Sequence, residues 1–355
     1  MRQIDTTAAS ATASNWASYV VGTAQGGAYH YALKLSSNTT ATDTTAPRPS
    51  AQAWGISVPG GTSPQMQEPL VVTVGGQQYA LFTVNVTSGG VTTSKLYEVN
   101  VATGEPKVAG EPISANLSLG AAGIAANSAL SYDALTGTLW LGDTAGGVWS
   151  VNITGQPALD AATARKIGTT SPVAPVNFVG YGERNSMPYV WAGTKNKVTT
   201  FVLTGTTTPV WASQGGASPQ GYKKGSAVAS SVVRPLKSTG EVSAPPVLVN
   251  GVLVVPVFVP PAAGSCLAGT GYYQMFDMAS GSDPKIAVTY NGAAVTAGEI
   301  YLGGGSPLAP SLHGSNNGIV GYPGTDTPPA SGDPSLGSIN FGGKPLSRSV
   351  LWRQR

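Results

Sequence analysis

Cysteine occurs once in 355 residues, at Cys266. A single thiol excludes a disulfide framework and any all-cysteine metal site. It reads as a lone loop thiol, with a partner outside the chain as the alternative. Histidine occurs twice, at His30 and His313, too far apart in sequence to suggest metal spacing or a nucleophile–base pair. His30 lies between Tyr29 and Tyr31 in a strand pattern and reads as a hydrogen-bonded strand histidine. His313 lies in a Gly/Ser/Asn stretch and reads as a solvated loop residue. Charge is scarce as well: Asp, Glu, Lys and Arg make up 10% of the chain, with a net charge of +3. The basic spots are Lys223-Lys224, Arg348, Arg353 and Arg355, and no element carries a cationic stripe, which excludes a nucleic-acid-binding reading. No apolar run reaches the ~18 residues of a membrane span. The longest, residues 247–259, is interrupted by Asn250-Gly251 and Pro256 and predicts a buried β-hairpin with an Asn-Gly turn. The start at Met1 has no apolar core of a secretory signal. If the protein is exported, this chain is expected to be a mature or excised portion. Helix-period segments are nearly absent, with residues 158–166 (ALDAATARK) as the exception.

What the chain has in abundance is Gly (47) and Pro (27), with Thr, Ser, Asn and Ala between them. Hydrophobic content of 41% is enough to offset the ordering entropy of a folded chain. Many short alternating runs separated by turn residues predict an all-β fold. The stretch 130–153, LSYDALTGTLWLGDTAGGVWSVNI, shows the unit: an apolar strand around Trp140, a turn over residues 143–147, and a second strand from Val148. A Thr-Gly pair closes it. Related endings are LYEVNVATG at 96–104, TFVLTG at 200–205 and YQMFDMASG at 273–281. The closing glycines Gly104, Gly155 and Gly205 step by 51 and 50 residues, about the size of one four-stranded propeller blade of roughly 40–50 residues. The step from Gly205 to Gly281 is 76, which places a degenerate blade or a long insertion there.

In chain order, strands are expected over residues 16–35 with a turn at Gly26-Gly27, over 53–58, and in three runs within 68–101. Further runs lie in 127–155, 175–205 and 244–281, with one short strand at 318–322 and a terminal strand at 347–353. The sum is a β-propeller of six or seven blades in one domain, with quinoprotein-like repeats and long loops at 36–50, 213–225 and 303–334. Trp140, Trp149, Trp191 and Trp211 fall on strands or strand ends, where packing between blades accounts for them.

The ordered series QEPLVVTVGGQQYALFTVNV, LYEVNVATG and TLWLGDTAGGVWSVNITG resembles the carboxy-terminal propeller of the PilC/PilY type IV pilus tip adhesins. Gly142, Asp143, Gly146, Val148 and Trp149 match that family's Gly-Asp-x-x-Gly-x-Leu/Val-Trp blade. The run at 243–281, with Cys266, Asp277 and Gly281, matches its Asn-Gly, Cys, aromatic, Leu-Asp, Gly blade. The terminal SVLWRQR, with Trp352, is similar to its Ser-Trp-Arg ending. The resemblance runs from about Gln67 to the end. It implies an extracellular pilus tip protein that contacts minor pilins and a host surface or glycan ligand. It also implies a calcium loop, but where the family has several carboxylates this chain has only Asp133 and Asp143. Calcium takes 6–8 oxygen ligands, so two carboxylates ten residues apart make a poor remnant of a site.

Two other readings belong to different classes. Propeller repeats also look like those of quinone-dependent dehydrogenases, which need a base carboxylate, calcium and a tryptophan platform. A periplasmic outer-membrane assembly scaffold would share the fold and differ in place. Against catalysis, the 16 acidic residues are scattered through turns. Gly303-Gly304-Gly305 has no Lys-Ser/Thr after it and reads as a bend rather than a phosphate loop. Asp277 is expected to cap its own turn through the backbone. Lys223-Lys224 beside Tyr222 reads as a solvated loop. The expectation is a non-enzymatic binding propeller with no catalytic, cofactor or metal residues.

Overall fold

Period-two alternation of β-branched, aromatic and small residues is converted almost everywhere into antiparallel strands, and no helix occurs among the described residues. The computed structural model describes residues 2–5, 16–24, 29–35, 49–63, 69–107, 114–117, 119, 124–153, 164–184, 187–203, 209–214, 235–266, 268–315, 318–327 and 336–342.

The first sheet holds β1 (Arg2–Asp5), β2 (Trp16–Thr23), β3 (Tyr29–Leu35) and β4 (Pro49–Ser57), paired in that order. The second holds β5 (Gly61–Thr62), β6 (Leu70–Val74), β7 (Gln77–Ser88), β8 (Val91–Asn100) and β9 (Ser114–Leu117), with order β5-β7-β8-β9 and β6 also on β7. The third runs β10 (Ser131–Asp133), β11 (Thr138–Gly142), β12 (Gly147–Asn152), β13 (Ala164–Thr169). The fourth runs β14 (Phe178–Arg184), β15 (Met187–Thr194), β16 (Lys197–Val202), β17 (Pro209–Gln214). After β18 (Glu241–Val242), β19 (Val247–Val249), β20 (Val252–Val259) and β21 (Thr270–Asp277), the chain forms β22 (Thr289–Tyr290) and β23 (Ala293–Ala294). It then forms β24 (Glu299–Gly304), β25 (Ser311–Ser315), β26 (Gly318–Tyr322) and β27 (Ile339–Asn340). The fifth sheet is β18-β20-β21-β24 with β19 on β20, and the sixth is β23-β22-β27-β26-β25. One antiparallel sheet of four or five strands after another along the chain is the blade architecture of a β-propeller.

The chain divides into two compact units, residues 1–144 with 149–166, and residues 145–148 with 167–355. In the first unit both faces of the second sheet are buried, and alternation decides which side chain goes where. Tyr79 and Leu81 of β7 and Leu96 of β8 join Leu139, Leu141 and Trp149 of the third sheet. The residues between them, Ala80, Phe82, Val84, Tyr97 and Val99, join Tyr19, Ala32 and Trp54 of the first sheet. A sheet covered on both faces reads as a near-continuous apolar run, as β7 does through YALFTV. In the second unit, Val252 and Val254 of β20 and Tyr273 and Met275 of β21 pack on Ile319, Ile339 and Phe341 of the sixth sheet. Each fully buried aliphatic or Phe side chain contributes about 1.5–3 kcal/mol.

The predicted hairpin at 247–259 is present, and Asn250 (φ 48°) and Gly251 (φ 78°) carry the positive φ of a type I′ turn. Pro256 does not end β20. It faces the gap between β18 and β19, where no ladder N–H is required of it, and its carbonyl accepts the Ser243 N–H at 3.1 Å.

Three expectations are corrected. Within the expected helix 158–166, residues 164–166 belong to strand β13, and the rest lies outside the described residues. The tertiary pairing of β13 with β12 overrides a weak helical composition. Within the expected loop 303–334, the predicted strand 318–322 is present as β26, but an unexpected strand β25 pairs with it, so His313 is an exposed strand residue edge-on to Tyr322 at 5.3 Å, not a loop residue. Residues 49–50 and 213–214, expected in loops, belong to β4 and β17. The remainders of the loops 36–50 and 213–225, with Lys223-Lys224, and the terminal strand 347–353 with Trp352, lie outside the described residues.

Candidate functional site

A shared closure follows one strand of five of the sheets. The N–H of the residue after β8, β12, β16, β21 and β27 donates back to the preceding hairpin arm: Val101 to Gln78 O, Ile153 to Gly137 O, Leu203 to Pro188 O, Met278 to Gly251 O and Phe341 to Ile319 O, at 2.9–3.1 Å. In three of them the residue before is an Asn or Asp whose Oδ1 caps the turn. Asn100 accepts from Ala102 N at 2.8 Å, Asp277 from Ser280 N at 3.1 Å and Ser280 Oγ at 2.8 Å, and Asn340 from Gly342 N at 2.8 Å.

The carbonyls of three of these residues face an anchor from the sheet before. Trp54 Nε1 donates to Val101 O at 2.8 Å and Trp211 Nε1 to Met278 O at 2.7 Å. At the third, Lys107 Nζ donates to Ile153 O at 2.8 Å. Gly104 (φ 74°) and Gly281 (φ 69°) close the two tryptophan turns, each N–H bonding the carbonyl four residues back at 2.8 Å. A Cβ at Gly104 would stand 2.6 Å from Trp54 Cγ, and one at Gly281 2.7 Å from Trp211 Cδ2. Glycine is required there twice, by φ and by the ring lying on it.

The residues singled out in the sequence divide between these closures. Asp277 caps its turn as expected and also takes a guanidinium hydrogen bond from Arg184 Nη1, a group the sequence reading missed, whose other contact is Gly251 O at 3.3 Å. Asp143 is fully buried and accepts the Trp149 indole N–H at 2.6 Å. Gly142 is held by Ser128 Oγ on its N–H and by Asn127 N on its carbonyl. Gly146 (φ 80°) lies against Thr170, whose N–H it accepts at 2.8 Å. Asp133 accepts Leu135 N at 3.2 Å and Thr136 Oγ1 at 2.7 Å. It stands opposite Thr138, so Asp143 lies five residues further along, about 16 Å at ~3.3 Å per residue. The two carboxylates therefore do not share a calcium ion, and no group of three His, Cys, Asp or Glu that could hold a metal occurs among the described residues. Cys266 is an exposed free thiol.

Besides Asp133 and Asp143, the first unit buries His30 and Glu98. His30 stacks on Phe82 with centroids 3.9 Å apart, with Nδ1 2.9 Å from Thr23 Oγ1 and Nε2 3.0 Å from Ser63 Oγ. Ser63 Oγ donates to Thr83 O, so it accepts from Nε2–H, and Nδ1 accepts from Thr23. Burial holds the imidazole down at about 4. This is the hydrogen-bonded strand histidine expected. Glu98 of β8 is 1% exposed, with Oε1 3.6 Å from Lys107 Nζ. Burial pushes its carboxyl up, and Lys107 opposes this only in part.

Polar and aromatic groups converge at solvent on the edge of the fifth sheet. Tyr272 of β21 and Tyr301 of β24 are direct cross-strand partners with ring centroids 5.3 Å apart, and Tyr301 is 44% exposed. The next pair on that face is Gln274 and Glu299. Buried Gln274 accepts the Lys237 N–H at 2.9 Å, which fixes the incoming loop. Lys237 Nζ then reaches Glu299 Oε1 at 2.7 Å and the Tyr272 ring at 4.7 Å. The result is a preorganised surface with two tyrosine rings, one cation and one carboxylate. Stacking, cation–π contact and charge-assisted hydrogen bonding are its available chemistry. The sequence signal was the alternation Tyr272-x-Gln274 against Glu299-x-Tyr301, unreadable without the register.

No family model matches the chain, and no curated protein matches it. Among solved structures, BamB from Moraxella catarrhalis is similar with a TM-score of 0.34 and 11% identity, over 91% of this chain and 84% of that one.

Proposed function

We propose that this chain is a non-enzymatic binding propeller of the type IV pilus tip adhesin kind, which contacts minor pilins at the filament end and a host surface or glycan ligand from its exposed face. The observation that carries the reading is where fixed polar chemistry meets solvent. Asp143, Asp277 and His30 are engaged inside the sheets and turns and Glu98 is buried, whereas Tyr272, Tyr301, Lys237 and Glu299 are held in place at the surface. Aromatic side chains positioned by a rigid sheet supply contact area at little entropic cost.

The test is to shear surface pili from the source cells and probe that fraction for this chain, alongside adhesion of cells carrying Tyr301→Ala. Enrichment at filament ends, with adhesion reduced and folding within about 0.5 kcal/mol of wild type, is the expected result. Retention in the periplasm and absence from pili would replace the adhesin by an envelope assembly scaffold.

A further inference from the structure

We propose that the joint between the second and third sheets is a proton-linked clasp, in which the Glu98 carboxyl takes up a proton beside Lys107 and acid tightens the joint. One of three repeated contacts between successive sheets uses a different donor. Where the first sheet meets the second, and again where the fourth meets the fifth, the anchored carbonyl receives a neutral indole N–H from Trp54 or Trp211. At Ile153 the donor is the ammonium of Lys107. A cation placed at such a joint brings a charge that an indole does not.

Glu98 answers that charge poorly. Its side chain is 2% exposed and Oε1 stands 3.6 Å from Nζ, an ion pair longer than a hydrogen bond, with no hydrogen-bond partner of its own. It projects from β8 on the face that carries Leu96, packed with Leu81, Leu139 and Leu141. The titratable groups facing it are Lys107, Tyr79 of β7 and Tyr132 of β10, with Asp133 beside Tyr132. Both phenols are held above their ordinary range, by burial first and by the Glu98 charge next. They are neutral and offer Glu98 no compensating charge. One partly solvated cation at 3.6 Å does not compensate the desolvation of a carboxylate among leucines, so the folded chain holds the proton more tightly than the unfolded one.

The sign follows from linkage. A carboxyl raised on folding contributes stability that is fully present below its unfolded value, near 4.5, and is lost as pH rises through its folded value. At neutral pH the joint carries an ionised Glu98 that the fold disfavours. Below the folded value the clasp consists of a neutral carboxyl and Lys107 on Ile153 O.

Urea unfolding of wild type, Glu98→Gln and Lys107→Met at pH 8 and pH 5 tests this. Glutamine imitates the protonated carboxyl. At pH 8 Glu98→Gln should raise the folded-to-unfolded ratio, tenfold for each unit by which the folded pKa exceeds the unfolded one, and the gap should narrow at pH 5. Lys107→Met should lower the ratio at pH 8 and steepen the dependence, because Glu98 is then ionised without its cation. A Glu98→Gln protein less stable than wild type at pH 8, or a gap that does not change with pH, overturns the proposal. If glutamine disturbs folding, the Glu98 carboxyl resonance in wild type decides instead: a midpoint at or below 4.5 refutes it.

Discussion

Replacing Gly281 by Ala perturbs one contact with two separable costs. The first is conformational: φ at 69° is left-handed, which an L-residue adopts at about 1–2 kcal/mol. The second is steric. The new methyl would meet Trp211 Cδ2 at 2.7 Å and Cε3 at 2.9 Å, and this ring is fully buried with its N–H fixed on Met278 O. Overpacking of this kind costs about 1–3 kcal/mol, so Gly281→Ala should lose about 2–5 kcal/mol. Trp211→Ala by itself opens a cavity worth about 3–5 kcal/mol. In that background the methyl has room, and Gly281→Ala should cost only its conformational 1–2 kcal/mol. Urea unfolding of the four proteins of the cycle measures the difference, an expected coupling of about 1–3 kcal/mol between Gly281 and Trp211. Additive losses would show that the indole does not lie on the turn and that φ alone demands the glycine.

Further tests address the buried polar groups of the first unit. His30 is neutral when folded, so its stabilisation is present above 6.5 and lost as pH falls through about 4. The difference of about 2.5 units amounts to about 3 kcal/mol. NMR titration should place its imidazole midpoint near 4, and a midpoint near 6.5 would show a solvated ring. Asp143→Ala should cost about 1–3 kcal/mol by leaving the buried Trp149 N–H without an acceptor, and Asp143→Asn should recover most of it. Equal losses in thermal unfolding would mean that the charge, rather than an acceptor oxygen, is what the site requires.

His30 and Glu98 lie in the same unit and titrate with opposite signs. Acidification from pH 7 takes stability from the first through its imidazole and returns some through the second. The net curve of the unit is therefore flatter than the larger of the two contributions alone would give, and variants at one site expose the other.

Which parts of this arrangement were legible depends on the sequence distance over which each contact acts. Strands, the Asn250-Gly251 turn and the turn-capping role of Asp277 are local, set by alternation and by side chains reaching two to four residues along. The strands and the Asn250-Gly251 turn were readable from the residues alone, and the cap at Asp277 with the help of the family resemblance. The closing Thr/Ser-Gly pairs were also visible as a period, but their cause was not. The indole lying on Gly104 comes from Trp54, 47 residues before the Val101 carbonyl it bonds, and that on Gly281 from Trp211, 67 residues before Met278. Nothing in the composition around Lys107 marks it as standing in for an indole, because its role is fixed by Ile153, 46 residues later. The same holds for Arg184 on Asp277 and for Tyr272 beside Tyr301, whose partnership depends on a register shift at Gly271/Tyr272. In a fold of stacked sheets the pattern within each sheet is local and the joints are not. Substitutions at joints such as Lys107 and Trp211 should therefore give the largest effects, at positions where the sequence carries the least warning.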